Sequence, residues 1–148
     1  MVKIKSNKGF SLMELMIVLV IIGLLAGIGY PSYLDSAKKS RRSAAQADLS
    51  ELAQYMERFY TENYAYDEDR GGVAVSLPFT ESPKEGGSKY YDITLVRNPT
   101  TFTLTATPKG AQADDGILTL NQMGVRGWDS DNSGAVDAHE RCWERTCP

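Results

Sequence analysis

The sequence predicts an α+β fold, in which one long N-terminal helix, membrane-embedded over its first half, packs on an antiparallel sheet of three or four strands. Three observations predict it. Leu15 to Leu34 is uncharged over 20 positions; a helix of that length spans roughly 30 Å, enough to cross a bilayer's hydrocarbon core. From Asp35 apolar residues recur every three or four positions, as on a half-buried helix. Beyond Lys89 the period falls to two, the mark of a sheet covered on one face.

The first nine residues form a short basic, polar segment carrying Lys3, Lys5 and Lys8 and ending at Gly9. The apolar run opens at Phe10 and contains one acid, Glu14. A carboxylate inside a membrane helix costs about 2.5 to 3.5 kcal/mol on insertion scales, so Glu14 is a candidate functional residue by default. Pro31 lies within the helix and should kink it or free a carbonyl. The stripe Ala45, Leu49, Leu52, Met56, Phe59, Tyr60 and Asn63 then supplies a core-facing surface, with Asp48, Glu51 and Glu57 off it. One helix is therefore expected from Phe10 to about Asn63. Residues Tyr64 to Lys89 are turn-rich and charged, and read as a connecting loop. Strands follow at Tyr90–Val96, Thr101–Thr107 and Gly116–Asn121, with a fourth near Met123–Arg126. Arg97-Asn98-Pro99-Thr100 provides the first hairpin turn.

The chain has 148 residues and a formal net charge of −3, with a mean hydropathy of −0.33 despite the apolar run. Residues from Asp35 onward carry 13 Lys/Arg and 18 Asp/Glu, a net of −5, which excludes a general attraction for nucleic acid or anionic lipid. Catalysis finds no support. His139 is the only histidine, and no nucleophile–base set or phosphate-cradling glycine loop stands out. Asp67/Asp69 and Asp114/Asp115 read as solvated turns.

Lys8-Gly9-Phe10-Ser11-Leu12-Met13-Glu14 resembles the class III signal of type IV pilins and of the type II secretion pseudopilins. The resemblance implies cleavage after Gly9 by prepilin peptidase and methylation of the new terminus at Phe10. It implies, too, that Glu14 pairs with the amino terminus of a neighbouring subunit during assembly. Residues 1–9 would be the leader, 10–34 the hydrophobic assembly helix and 35–148 the periplasmic or extracellular head. Phe102-Thr103-Leu104-Thr105-Ala106-Thr107-Pro108, Leu118-Thr119-Leu120-Asn121-Gln122-Met123-Gly124 and Cys142-Trp143 are similar to PilE-like minor pilins, related to the DNA-uptake receptors of competent bacteria. The implied fold is that of type IV pilins. The implied function is a structural, minor subunit of a pilus. Its partners would be other pilins, prepilin peptidase, the assembly machinery and, before assembly, the inner membrane. Two alternatives stand beside it. One is a DNA receptor, with Lys84, Lys89, Arg97, Lys109 and Arg126 as contacts, set second because those cations are scattered and outnumbered by acids. The other is a type II secretion pseudopilin.

One position departs from the pattern. Minor pilins of this kind place a Cys just before the Gly-x-Leu-Thr-Leu strand, bonded to the Cys of Cys-Trp; here Asp115 holds that place. The remaining pairing is Cys142 with Cys147, in a region expected to be oxidising, or else both stay free thiols. In a regular helix, residues five apart lie beyond disulfide reach, so a bond requires any helix entering Cys142 to end there. Asp129 to Glu140 also satisfies the twelve-residue EF-hand calcium pattern. Asp129, Asp131 and Ser133 would offer side-chain oxygens, Ala135 its carbonyl, Asp137 a direct or water-bridged ligand, and Glu140 both carboxylate oxygens. Gly134 supplies the turn and Val136 the inward apolar residue. Calcium is the expected ion, at the weak affinity of extracellular modules, and no organic cofactor is expected.

Overall fold

The computed structural model describes residues 9–144 and 147; the lysine-bearing part of the leader lies outside them. The chain divides into two compact units, residues 1–37 and 38–148.

Helix α1 runs from Leu12 to Asn63, with Pro31 inside it. Its start is capped locally. The Ser11 hydroxyl accepts from Met13 N at 3.2 Å, and Glu14 reaches back to accept from Ser11 N at 3.4 Å. These two contacts cap the helix start, with the Ser11 hydroxyl meeting the second helical amide rather than the third, and satisfy amides the helix itself leaves orphaned; the sequence reading missed them. In the first unit the apolar side chains from Leu12 to Leu34 are exposed. An 18-residue window of α1 there reaches a mean hydropathy of 2.6, long and apolar enough to cross a membrane.

In the second unit α1 buries Ala45, Leu49, Leu52 and Met56, the expected stripe, and also Asp48. Asp48 was expected off the stripe. It is tolerated there because Ser82 Oγ donates to it at 2.6 Å and Lys84 N at 3.0 Å, so its carboxylate is not left unsatisfied.

The sheet has five antiparallel strands in sequence order: β1 (Glu81–Ser82), β2 (Tyr91–Arg97), β3 (Phe102–Pro108), β4 (Leu118–Asn121) and β5 (Arg126–Trp128). It thus has more strands than the three or four expected. The extra one, β1, is two residues long, too short for its period to be read. The last strand is also displaced. Met123 and Gly124 belong to the β4–β5 turn, where Asn121 Oδ1 accepts from Met123 N and Val125 N, each at 3.0 Å. Asn98 organises the β2–β3 turn in the same way, accepting from Thr100 N and Thr101 N.

Alternate residues of β2, β3 and β4 (Tyr91, Ile93, Phe102, Leu104, Ala106, Leu118 and Leu120) are buried with the α1 stripe in one core. The connecting loop adds Tyr66 and Val75 to it. Tyr66 stacks on Tyr60 and meets Phe102 edge-on.

Candidate functional sites

Three places in the fold carry candidate functional residues. The first is the N-terminus. Gly9 and Phe10 are exposed, and no neighbouring atom occupies the space a Gly9 side chain would need. Glu14 follows one turn into α1, and among the described residues its bonded partner is Ser11 N.

The second is the loop from Asp129 to Glu140. Two close approaches seat it. Gly116, at φ +73°, lies where a Cβ would be 1.7 Å from the Asp129 carbonyl. Gly127 has no side chain because Val136 Cγ1 and Thr119 Oγ1 fill that space. Both glycines are therefore demanded by contact. The loop ends in a 3-10 turn, Ala138–Glu140, closed by a capping box between Asp137 and Glu140.

Within this loop the oxygens of Asp129, Asp131 and Glu140 converge to within 4.8 Å of one another. Asp129 is fully buried and Glu140 is 3% exposed. Asp129 accepts from Ser133 N and Gly134 N, each at 2.8 Å, and Asp131 accepts from Ser133 N at 3.0 Å. Glu140 accepts from Ser130 N at 2.7 Å, Ser130 Oγ at 2.8 Å and Asp137 N at 3.2 Å. The Ser130 hydrogen bond chiefly lowers the Glu140 pKa below the usual carboxylate range. Ser133 Oγ links Asp129 to the Ala135 carbonyl. Asp137 groups with exposed His139 and Glu140. All six expected ligand residues thus lie in one hydrogen-bonded loop, with three carboxylates together and no ion pair to any of them among the described residues. The donor set is hard oxygen and fits calcium better than a softer metal.

The third is the start of β4. Asp115 is buried rather than part of a solvated turn. Arg42 forms a two-pronged ion pair with it, Tyr91 Oη donates to it at 2.7 Å and Gln112 Nε2 at 2.8 Å. Arg42 also lies 3.6 Å from the centre of the Trp128 ring, whose Nε1 donates to the Asp115 carbonyl at 2.6 Å. Burial, reinforced by Asp115, raises the Tyr91 pKa far above its ordinary value, so its hydroxyl remains a donor. Where minor pilins are expected to carry a cysteine, this chain carries an ionic clasp. A sequence reading lacks the signal for it: Arg42 and Asp115 are 73 positions apart.

The C-terminal pairing is settled by geometry. Cys142 and Cys147 are bonded, with Cα atoms 5.5 Å apart. The 3-10 turn ends at Glu140, and among the described residues no helix runs on into Cys142. Trp143 is held from two sides, donating to the Thr119 carbonyl at 3.2 Å and accepting from Gln46 Nε2 at 3.4 Å.

The cations expected as DNA contacts are mostly engaged. Lys84 pairs with Glu51, and Lys109 with both Glu81 and Asp92. Lys89 donates to the Pro83 and Lys84 carbonyls, and Arg97 Nε donates to the Asp67 carbonyl at 3.4 Å. Arg126 differs. It lines an open hollow of about 650 Å³ between α1 and the β4–β5 hairpin, together with Gln54, Glu57, Arg58 and Gln122.

A family profile described as "Type IV minor pilin ComP, DNA uptake sequence receptor" matches residues 31–119, more than half the chain. A second profile, the prokaryotic N-terminal methylation motif, matches residues 4–30. The chain belongs to the ComP family of type IV minor pilins. The wider relationship is broad. A fimbrial protein of Pseudomonas aeruginosa is 31% identical over 133 residues, covering 84% of each chain. The type II secretion system core protein G of Klebsiella michiganensis is 28% identical over 134 residues, covering 86% of this chain and 92% of that one. The type IV major pilin PilA of Myxococcus xanthus is 39% identical over 62 residues, only 42% of this chain and 28% of that protein. The minor pilin PilV of Neisseria meningitidis, a solved structure, has a TM-score of 0.48 at 24% identity, covering 70% of this chain and 96% of that one. This minor pilin has the type IV pilin fold and is a non-enzymatic, pilus-associated protein.

Proposed function

We propose that this minor pilin is incorporated into a type IV pilus and there binds DNA as a receptor for uptake. The observation that carries the reading is the DNA-uptake-receptor profile, which covers the half-buried part of α1 and the sheet as far as the start of β4. That match outweighs the scatter of basic residues among more numerous acids that set the receptor behind a structural subunit in the sequence. A net negative head does not forbid a local cationic contact, because exposed charges act over about a Debye length, roughly 8 Å at physiological salt.

On this reading prepilin peptidase cleaves between Gly9 and Phe10 and methylates Phe10, consistent with the methylation-motif match. The precursor waits in the inner membrane by its apolar helix, and Glu14 exchanges its contact with Ser11 N for the amino terminus of a neighbouring pilin. Calcium is proposed as the ion of the Asp129–Glu140 loop. Two carboxylates buried there without a cationic partner among the described residues support it, because such charges are otherwise paired or metal-bound. When bound, the ion would neutralise Asp129, Asp131 and Glu140.

The test is duplex-DNA binding by the full-length, processed protein in detergent, followed by fluorescence anisotropy across a salt series. Binding that weakens linearly with log salt supports the receptor. No salt-sensitive binding overturns it and leaves a structural subunit. A type II secretion pseudopilin is the second reading, favoured by the near full-length similarity to core protein G. Recovery of the protein from sheared surface pili would exclude it.

A further inference from the structure

The β4–β5 hairpin separates two hollows that share Asn121, Met123 and Arg126. The larger, facing α1, adds Arg58. The smaller, about 310 Å³, lies against the Asp129–Glu140 loop and adds Arg141, with Thr103 and Thr119. Arg58, Arg126 and Arg141 are all exposed, and none is in an ion pair among the described residues. One carboxylate, Glu57, shares this rim; it accepts from the Tyr66 hydroxyl through Oε1, keeps its charge and forms no ion pair with these arginines. This stretch therefore offers three unneutralised guanidinium groups, interleaved with amides and hydroxyls, on an acidic head. Fork-shaped guanidinium donors suit phosphate oxygens better than the paired lysines do.

Arg126 is the group common to both hollows, and it has a support. Its guanidinium carbon stands 4.8 Å from the centre of the Trp143 ring. Trp143 is in turn fixed by Thr119, by Gln46 and by its place beside Cys142 in the disulfide-closed tail. A cation held against an indole face keeps its charge while losing side-chain freedom, so less ordering is needed when an anion arrives.

Building on the DNA-receptor reading, we propose that the phosphate backbone of DNA is met along this hairpin by Arg58, Arg126 and Arg141, with Trp143 as the positioning residue for Arg126. The apparent basic inventory of the head is then misleading. Lys84 and Lys109 are engaged elsewhere, and contact runs through arginines on either side of one turn.

The experiment uses the full-length protein in detergent with a duplex-DNA probe over a salt series. Arg58→Gln, Arg126→Gln and Arg141→Gln are each expected to weaken binding and to flatten the slope of log K against log salt by about 0.9, one phosphate contact each. Lys84→Gln and Lys109→Gln should leave that slope unchanged. Trp143→Ala should weaken binding and, because Trp143 packs against the core, also lower the thermal midpoint; Trp143→Phe should retain most affinity, and at a temperature where both variants are folded, adding Trp143→Ala to Arg126→Gln should cost little more binding. Thermal midpoints measured alongside separate loss of contact from loss of fold. Wild-type binding untouched by all three arginine variants, or lost instead with the lysine variants, would overturn the hairpin assignment while leaving the receptor standing. Equal additive losses from Trp143→Ala with Arg126 present or absent would overturn the positioning role. Absence of wild-type binding would remove the receptor reading and this one together.

Discussion

Asp115 shows how one side chain changes the means by which a fold is held. Its carboxylate takes hydrogen bonds from Arg42, Tyr91 and Gln112 while its own carbonyl receives Trp128 Nε1. Removing one member of a buried ion pair leaves the other charge uncompensated, at a cost of about 3–5 kcal/mol. Asp115→Ala should therefore lower the denaturant midpoint by that equivalent, and Arg42→Met combined with Asp115→Leu should recover much of the loss. A change under about 1 kcal/mol in the single variant would show that the clasp contributes little. Glu14 acts at the opposite end. Its contact to Ser11 N is long and exposed, so it is a weak tie, readily exchanged for a cationic amino terminus. Glu14→Ala should still enter the inner membrane, as carbonate-resistant protein in membrane fractions, but should be missing from sheared pili. Normal recovery from pili would assign Glu14 to helix capping alone.

Among elements, the Asp129–Glu140 loop is the most open to test. It is clamped at both approaches by glycines and closed by a capping box, so its backbone is preformed and calcium would act on charge. With a dissociation constant near 1 mM, the weak end of the extracellular range, about 10 mM calcium stabilises the native state by roughly 1.4 kcal/mol. That corresponds to a rise of several degrees in thermal midpoint for a domain of this size. Calorimetry of the full-length protein in detergent should show this rise with calcium and not with equal magnesium, and Glu140→Gln should abolish it. The helix and sheet illustrate the reverse dependence. The period of α1 and of β2 and β3 is visible in sequence because each buries a continuous face. The two-residue β1 and the three-residue β5 are too short to show any period and exist through pairing with their neighbours.

For the whole molecule, the expected state in pili is a scarce chain beginning at N-methylated Phe10 and two hydrogens lighter than its reduced mass. Intact mass spectrometry of sheared filaments under non-reducing conditions checks this. A chain retaining residues 1–9, or a main-component abundance, would contradict it. The sequence alone determined the membrane-length helix, the amphipathic continuation to Asn63, the alternating strands, the Gly9-Phe10-Glu14 signal and the twelve-residue acidic loop. Each is written in neighbouring residues, as a period or a spacing, and needs no distant partner to be legible. The tertiary structure alone decided that Asp48 and Asp115 are buried and satisfied, that Lys84 and Lys109 are paired with acids distant along the chain while Lys89 is spent on backbone carbonyls, and that Arg58, Arg126 and Arg141 border one hairpin. Most of those facts depend on residues tens of positions apart meeting across a packed core. Which charges are silent and which are available is a property of the fold, because neutralisation acts through space rather than along the chain.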